Sequence, residues 1–277
     1  MQSSNPVLSR YEKTDGSGFA YAEGKGAYAQ AAAGGAGSID TNAAFQQVTA
    51  AGGLRLTLND VIVKTAIVFA ITVVFAFVGW NTVESMPWLM WVALIGGLVV
   101  GLVNSFMKAI SPPLVMLYAV LQGVMLGGIS NWYDQLAVSQ NYGGIVLQAV
   151  VATMTTFGVM LVLYLTGVIK VTKKFQSIML VAMVSYLLLG VASLIAALFG
   201  VGGGWGFYGV GGIGLAICVV GVLIAAFFLL LDFEAISQGI RNGAPERESW
   251  RMAFGLLVTL IWLYLEFLRL LAIFSRS

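Results

Sequence analysis

The sequence predicts an all-α membrane protein built as a bundle of seven transmembrane helices. Three observations predict it. Of 277 residues, 59% are hydrophobic and only 9% charged, with a mean hydropathy of +0.92. A soluble domain carries about 25% charged residues to solvate its surface. After residue 60 the chain is a series of seven apolar runs, each near the ~20 residues that span a ~30 Å hydrocarbon core as a helix. The basic residues fall in alternate connections between those runs, as the positive-inside rule requires of a multi-pass protein.

Residues 1–59 read as a polar cytosolic tail, largely disordered. Residues 1–60 hold four basic and five acidic side chains, among Ala, Gly, Ser and Gln, as in Ala31 to Ser38. Too little apolar surface is present to offset the entropy of ordering the chain. No apolar run or cleavage pattern marks a signal peptide. A short interfacial helix over Phe45–Leu56 is the alternative to a plain linker there. The membrane domain then occupies 60–277, with spans expected at 61–80, 88–107, 112–130, 145–168, 177–199, 210–231 and 252–274. Pro112 and Pro113 suit the first turn of the third span. Small residues at Gly96, Gly97 and Gly101, and at Gly211, Gly212 and Ala216, offer close helix approach. Continuous rather than alternating apolar runs exclude an outer-membrane barrel.

The connections after spans one, three and five contain no Lys or Arg; their charges are Glu84 and Asp134. Those after spans two, four and six contain Lys108, then Lys170, Lys173 and Lys174, then Arg241, Arg247 and Arg251. With Arg55 and Lys64, nearly all basic residues lie on one side, so a cytosolic N-terminus and an external C-terminus are expected. Trp80, Trp88, Trp91, Trp132, Tyr133, Trp205 and Tyr208 mark the other interface. The Gly-rich stretch Gly200–Gly206 lacks the following Gly-Lys-Ser/Thr of a phosphate loop and reads as a hairpin.

Composition also excludes chemistries. The chain has no histidine, which removes imidazole metal sites and Ser-His or Cys-His catalysis. A single Cys218 builds neither an internal disulfide nor a thiolate metal site. A net charge of +2 provides no basic stripe for nucleic acid. The seventh span lacks the Lys a retinal protein needs. One near-membrane Asp, at 232, does not make an intramembrane aspartyl protease, and no nucleotide domain is present. No enzymatic activity and no cofactor are therefore expected. A channel or leak pathway, a small secondary transporter and a non-conducting scaffold or regulator of membrane-protein quality control that binds other membrane proteins remain.

Ionisable groups at membrane depth cost about 2.5–3.5 kcal/mol each and are functional candidates by default. Lys64, one turn into span one, is expected to snorkel to the headgroups. Asp232 and Glu234 close span six, where negative charge opposes the helix macrodipole and calls for a cation: Lys108, Arg241, a proton or a metal ion. Glu266 and Arg269, three apart, share one face of span seven, either as an intrahelical pair or with Glu266 facing a polar cavity.

Asp232-Phe233-Glu234-Ala235-Ile236, Gly243-Ala244-Pro245-Glu246 and Ala253 to Leu271 together resemble the C-terminal part of the Bax inhibitor-1/YccA family, the transmembrane Bax inhibitor motif-like proteins. Ser4-Asn5-Pro6-Val7-Leu8 is similar to the opening of its bacterial branch with a long polar tail. The resemblance implies a bacterial cytoplasmic-membrane location and a seven-helix bundle with the last helix in the middle. It also implies a pH-sensitive calcium leak, with calcium or protons as the permeant ion. In such proteins an Asp ending helix six pairs with an Asp in helix seven, and an Arg after helix two locks the cytosolic end. Asp232 matches the first position, whereas Thr259 stands at the second and only Lys108 is near the third. Glu266 lies two turns beyond Thr259 on nearly the same face, roughly 10 Å along the axis. The expected pathway is therefore Asp232 as a gate worked by protonation, which breaks its ion pair with Lys108 or Arg241, with Glu234 behind it, Thr259 and Glu266 along the path, and Arg269 as the counter-ion of Glu266.

Overall fold

The computed structural model describes residues 55–140 and 142–275. Residues 1–54 of the polar tail, and with them the Phe45–Leu56 alternative except for its last two residues, and Arg276 lie outside them. Seven α-helices follow in order: α1 Leu58–Thr82, α2 Pro87–Phe106, α3 Pro112–Val138, α4 Ile145–Leu165, α5 Lys173–Leu198, α6 Gly211–Arg241 and α7 Glu248–Phe274. All seven are long and apolar enough to cross a membrane, so this is a multi-pass membrane protein. Two 3₁₀ turns, Val201–Gly204 and Gly206–Gly209, join α5 to α6. There Gly200, Gly202, Gly203, Gly204 and Gly206 take positive φ, a backbone that residues with a Cβ rarely adopt.

The helix starts have local causes. Thr57 accepts a hydrogen bond from the Asp60 amide at 3.2 Å, and the Thr57 amide donates to Asp60 Oδ2 at 3.1 Å. This capping box satisfies donors that a helix start leaves orphaned. Pro87 and Pro112 open α2 and α3, and Thr172 caps α5 through the Phe175 amide. Two helices run well past their expected ends. α3 continues to Val138, and α6 continues to Arg241, nine residues beyond Asp232. Asp232 and Glu234 thus sit inside a helix, where the macrodipole argument for them lapses because its effect is confined to the last turn.

α7 is central. It packs against α1, α3, α4 and α6, and α1 packs most extensively on α3. One stripe of α7 (Leu256, Leu260, Leu263) enters a core with α6, and another (Ala253, Leu257, Ile261) enters a core with α1 and α3. The tightest backbone approach is between α1 and α3. A Cβ at Gly127 would strike the Ala76 carbonyl, and one at Gly79 the backbone of Val124. The small-residue runs expected to serve this purpose do less. Gly97 and Gly101 face the side chains of Gln122 and Tyr118, and Gly211 and Gly212 meet nothing within 4 Å.

At the basic end, the α6–α7 connection ties the bundle together. The Leu56 amide donates to the Ala244 carbonyl at 2.8 Å. Arg247 donates to the Ile110 carbonyl at 2.9 Å and Arg251 to the Lys108 carbonyl at 2.9 Å. Lys64 does not snorkel outward: its side chain is 14% exposed and its Nζ pairs with Glu246 Oε1 at 2.8 Å. A lysine with a carboxylate in reach has no reason to extend to headgroups.

Candidate functional site

The polar side chains of α6 and α7 divide into three groups at different heights. The middle group holds Asp232. Its carboxyl lies against α7, where a Cβ added to Gly255 would stand 3.6 Å from Oδ1 and where the Thr259 hydroxyl faces it. Asp232 Oδ2 is sealed from solvent and has no hydrogen-bond partner among the described residues. Thr259 is itself 5% exposed. The structure therefore brings Asp232 and Thr259 together.

It does not bring the expected counter-ions to Asp232. Arg241 is about two and a half turns further along α6 and binds Glu234 Oε1 at 2.7 Å. Glu234 also accepts from Tyr164 at 2.9 Å and Gln238 at 2.9 Å, and Tyr164 reaches Ser237 at 2.7 Å. Seven residues along a helix return to nearly the same face, so Glu234 and Arg241 meet while Asp232 points elsewhere. Lys108 is exposed in the α2–α3 turn, where its carbonyl serves Arg251. No ion pair to Asp232 is present among the described residues.

The third group surrounds Glu266, near the far end of α7. Glu266 is 2% exposed. Its Oε2 accepts from the Tyr186 hydroxyl at 2.9 Å, and its Oε1 from Trp262 Nε1 at 3.1 Å. Arg269 Nη1 lies 3.3 Å from both oxygens, and its guanidinium sits over the Tyr208 ring at 4.4 Å. Tyr208 in turn donates to Tyr186 at 3.2 Å. Gly221 of α6 makes room: a Cβ there would lie 2.7 Å from Glu266 Oε2. Glu266 faces the interior between α5, α6 and α7. Both its oxygens are engaged, unlike those of Asp232.

A family model described as Bax inhibitor 1 like matches residues 5–276. The chain belongs to the Bax inhibitor 1 like family. No curated protein matches it.

For this Bax inhibitor 1 like chain, the aromatic neighbours of Glu266 and Glu234 are candidate-site residues that the sequence does not single out. Trp262 was legible in principle, four residues before Glu266 on one helix face. Tyr186, Tyr208 and Tyr164 were not, because each comes from another element. Asp232, Thr259 and Glu266 do not border the lateral cavity enclosed by α1, α3, α4 and α7, whose walls are nearly all apolar. Among the described residues no three His, Cys, Asp or Glu side chains converge as a metal site.

Proposed function

We propose that the protein is a cation leak pathway, for calcium or protons, gated by the ionisation of Asp232, with no enzymatic activity. One observation carries this reading: a carboxyl oxygen buried between α6 and the central helix α7 without a partner. A buried polar group left unsatisfied costs about 1–3 kcal/mol and persists where function requires it. Because Asp232 has no counter-ion, gating here does not break an ion pair. Ionising the carboxyl instead requires water or a cation to come to it. The closed packing suits the neutral acid, and the charged acid favours a hydrated, more open α6–α7 contact. Glu234 and Arg241 hold the basic end of α6. Glu266 and Arg269 form a second polar station towards the other end of α7. With the basic ends of the helices facing the cytosol, Asp232 is reached from that side.

The test is calcium-dye flux in liposomes containing the full chain. Flux should rise with pH as Asp232 ionises. Asp232→Asn, which stays neutral, should remove that dependence and leave the low-pH rate at every pH. Protein liposomes leaking no faster than empty ones at any pH would end the proposal. One observation favours a second reading, a non-conducting scaffold for another membrane protein: the acidic positions do not border the lateral cavity. Under that reading, deleting residues 1–50 releases a co-purifying membrane protein, and no flux is seen before or after.

A further inference from the structure

The cavity that the acidic residues avoid has properties of its own. It is about 480 Å³, within the ~300–1,000 Å³ of typical small-molecule sites. Its walls are α1 from Phe69 to Trp80, α3 from Leu126 to Ser130, α4 from Val146 to Met154, and α7 from Leu257 to Tyr264. The few polar groups among them are satisfied within the protein. Thr72 donates to the Val68 carbonyl at 2.9 Å and Thr153 to the Ala149 carbonyl at 2.7 Å. Ser130 donates to the Leu126 carbonyl at 2.6 Å and shares a 2.6 Å hydrogen bond with Tyr264. The threonine and serine hydroxyls of the walls thus spend their protons on the protein itself.

The mouth opens sideways. Val73 and Phe77 on α1 and Val150 on α4 line the cavity and are exposed, so it is continuous with the apolar surface that these spanning helices turn to the bilayer. Its extent along α1, Phe69 to Trp80, is about 16 Å at 1.5 Å per residue. That is the depth of one leaflet, half of a ~30 Å hydrocarbon core. Trp80 marks the end where aromatic side chains sit at headgroup level. Phe69 and Thr72 then lie near the bilayer midplane.

We propose that this cavity is a binding site for one acyl chain of a glycerophospholipid from the leaflet on the Trp80 side. The chain enters between α1 and α4 and rests on α7 at Leu260, Ile261 and Tyr264. A bilayer lipid then contacts the central helix directly.

The experiment uses the full-length protein in liposomes containing phosphatidylcholine with a photoactivatable diazirine near the middle of one acyl chain. After irradiation, adducts are mapped by mass spectrometry. Leu260 and Ile261 are 7% and 8% exposed, so label on them requires a chain inside the cavity. The expected result is adducts on α7 at Leu257, Leu260 and Ile261 at a yield comparable to that on exposed Val73. Val73→Trp and Val150→Trp, each at an exposed lining position, should reduce the α7 adducts several-fold while labelling of exposed Leu187 and Leu188 on α5 is unchanged. Label confined to exposed side chains, or α7 label insensitive to both substitutions, overturns the proposal. A diazirine free fatty acid labelling α7 while the phospholipid does not also overturns it, by assigning the cavity to a different ligand.

Discussion

Replacing Glu266 by alanine tests the densest polar cluster of the bundle. The substitution removes the acceptor of three side chains: Tyr186 at 2.9 Å, Trp262 at 3.1 Å and Arg269 at 3.3 Å. Breaking a buried ion pair from one side costs about 3–5 kcal/mol, because the remaining charge is left uncompensated. Arg269 is partly accessible, with 28% of its side chain exposed, which places the expected loss at the lower end, about 3 kcal/mol. If the stranded guanidinium causes that loss, deleting it should return part of the stability. Glu266→Ala combined with Arg269→Met should then be less destabilised than the sum of the single variants, by about 1–3 kcal/mol of coupling. The assay is reversible unfolding in mixed detergent–SDS micelles followed by far-UV circular dichroism. A loss below about 1 kcal/mol for Glu266→Ala, or strict additivity in the double variant, would refute the reasoning.

Two further substitutions are read by the same titration. Gly127→Val should abolish the native bundle or cost more than about 3 kcal/mol, since even a Cβ strikes the Ala76 carbonyl of α1 and overpacking a tight contact costs about 1–3 kcal/mol for a single methylene; a wild-type midpoint would defeat it. Arg241→Ala should cost no more than about 1 kcal/mol, because its pair with Glu234 is formed by a side chain that is 60% exposed and surface pairs contribute little; a loss above 2 kcal/mol would contradict this.

The number and order of the helices were legible because hydrocarbon thickness imposes a length on each apolar run. Their ends were less so. Nothing in Leu231-Asp232-Phe233-Glu234 distinguishes the end of an apolar run from the end of a helix, and α6 continues to Arg241. Intrahelical neighbours at fixed spacing, such as Glu266 with Arg269, were readable from register alone. Contacts between helices were not. Tyr186 reaches Glu266 across 80 residues of sequence, and Lys64 reaches Glu246 across 182. The counter-ion of Asp232 was sought among the nearest cations in the chain, yet rotation along α6 delivers Arg241 to Glu234 and leaves the aspartate facing Gly255 and Thr259.

That difference gives the two buried acids opposite roles in stability. Glu266 has all its neighbours and holds α5, α6 and α7 together; its loss weakens the fold. Asp232 has an oxygen with no partner, so folding must desolvate it without return. Asp232→Leu keeps the branching at Cγ, removes the unsatisfied oxygen and leaves Thr259 its own backbone as acceptor. It should therefore stabilise the bundle, by about 1–3 kcal/mol, in the titration where Glu266→Ala destabilises it. A group that costs stability where an apolar one would not is what a site maintained for function looks like. The same variant should lose the pH-dependent flux, since the carboxyl that faces Gly255 and Thr259 is gone. If Asp232→Leu instead destabilises the protein by more than 1 kcal/mol, the carboxyl has a structural partner in the membrane. In that case its unsatisfied oxygen does not drive the proposed gate.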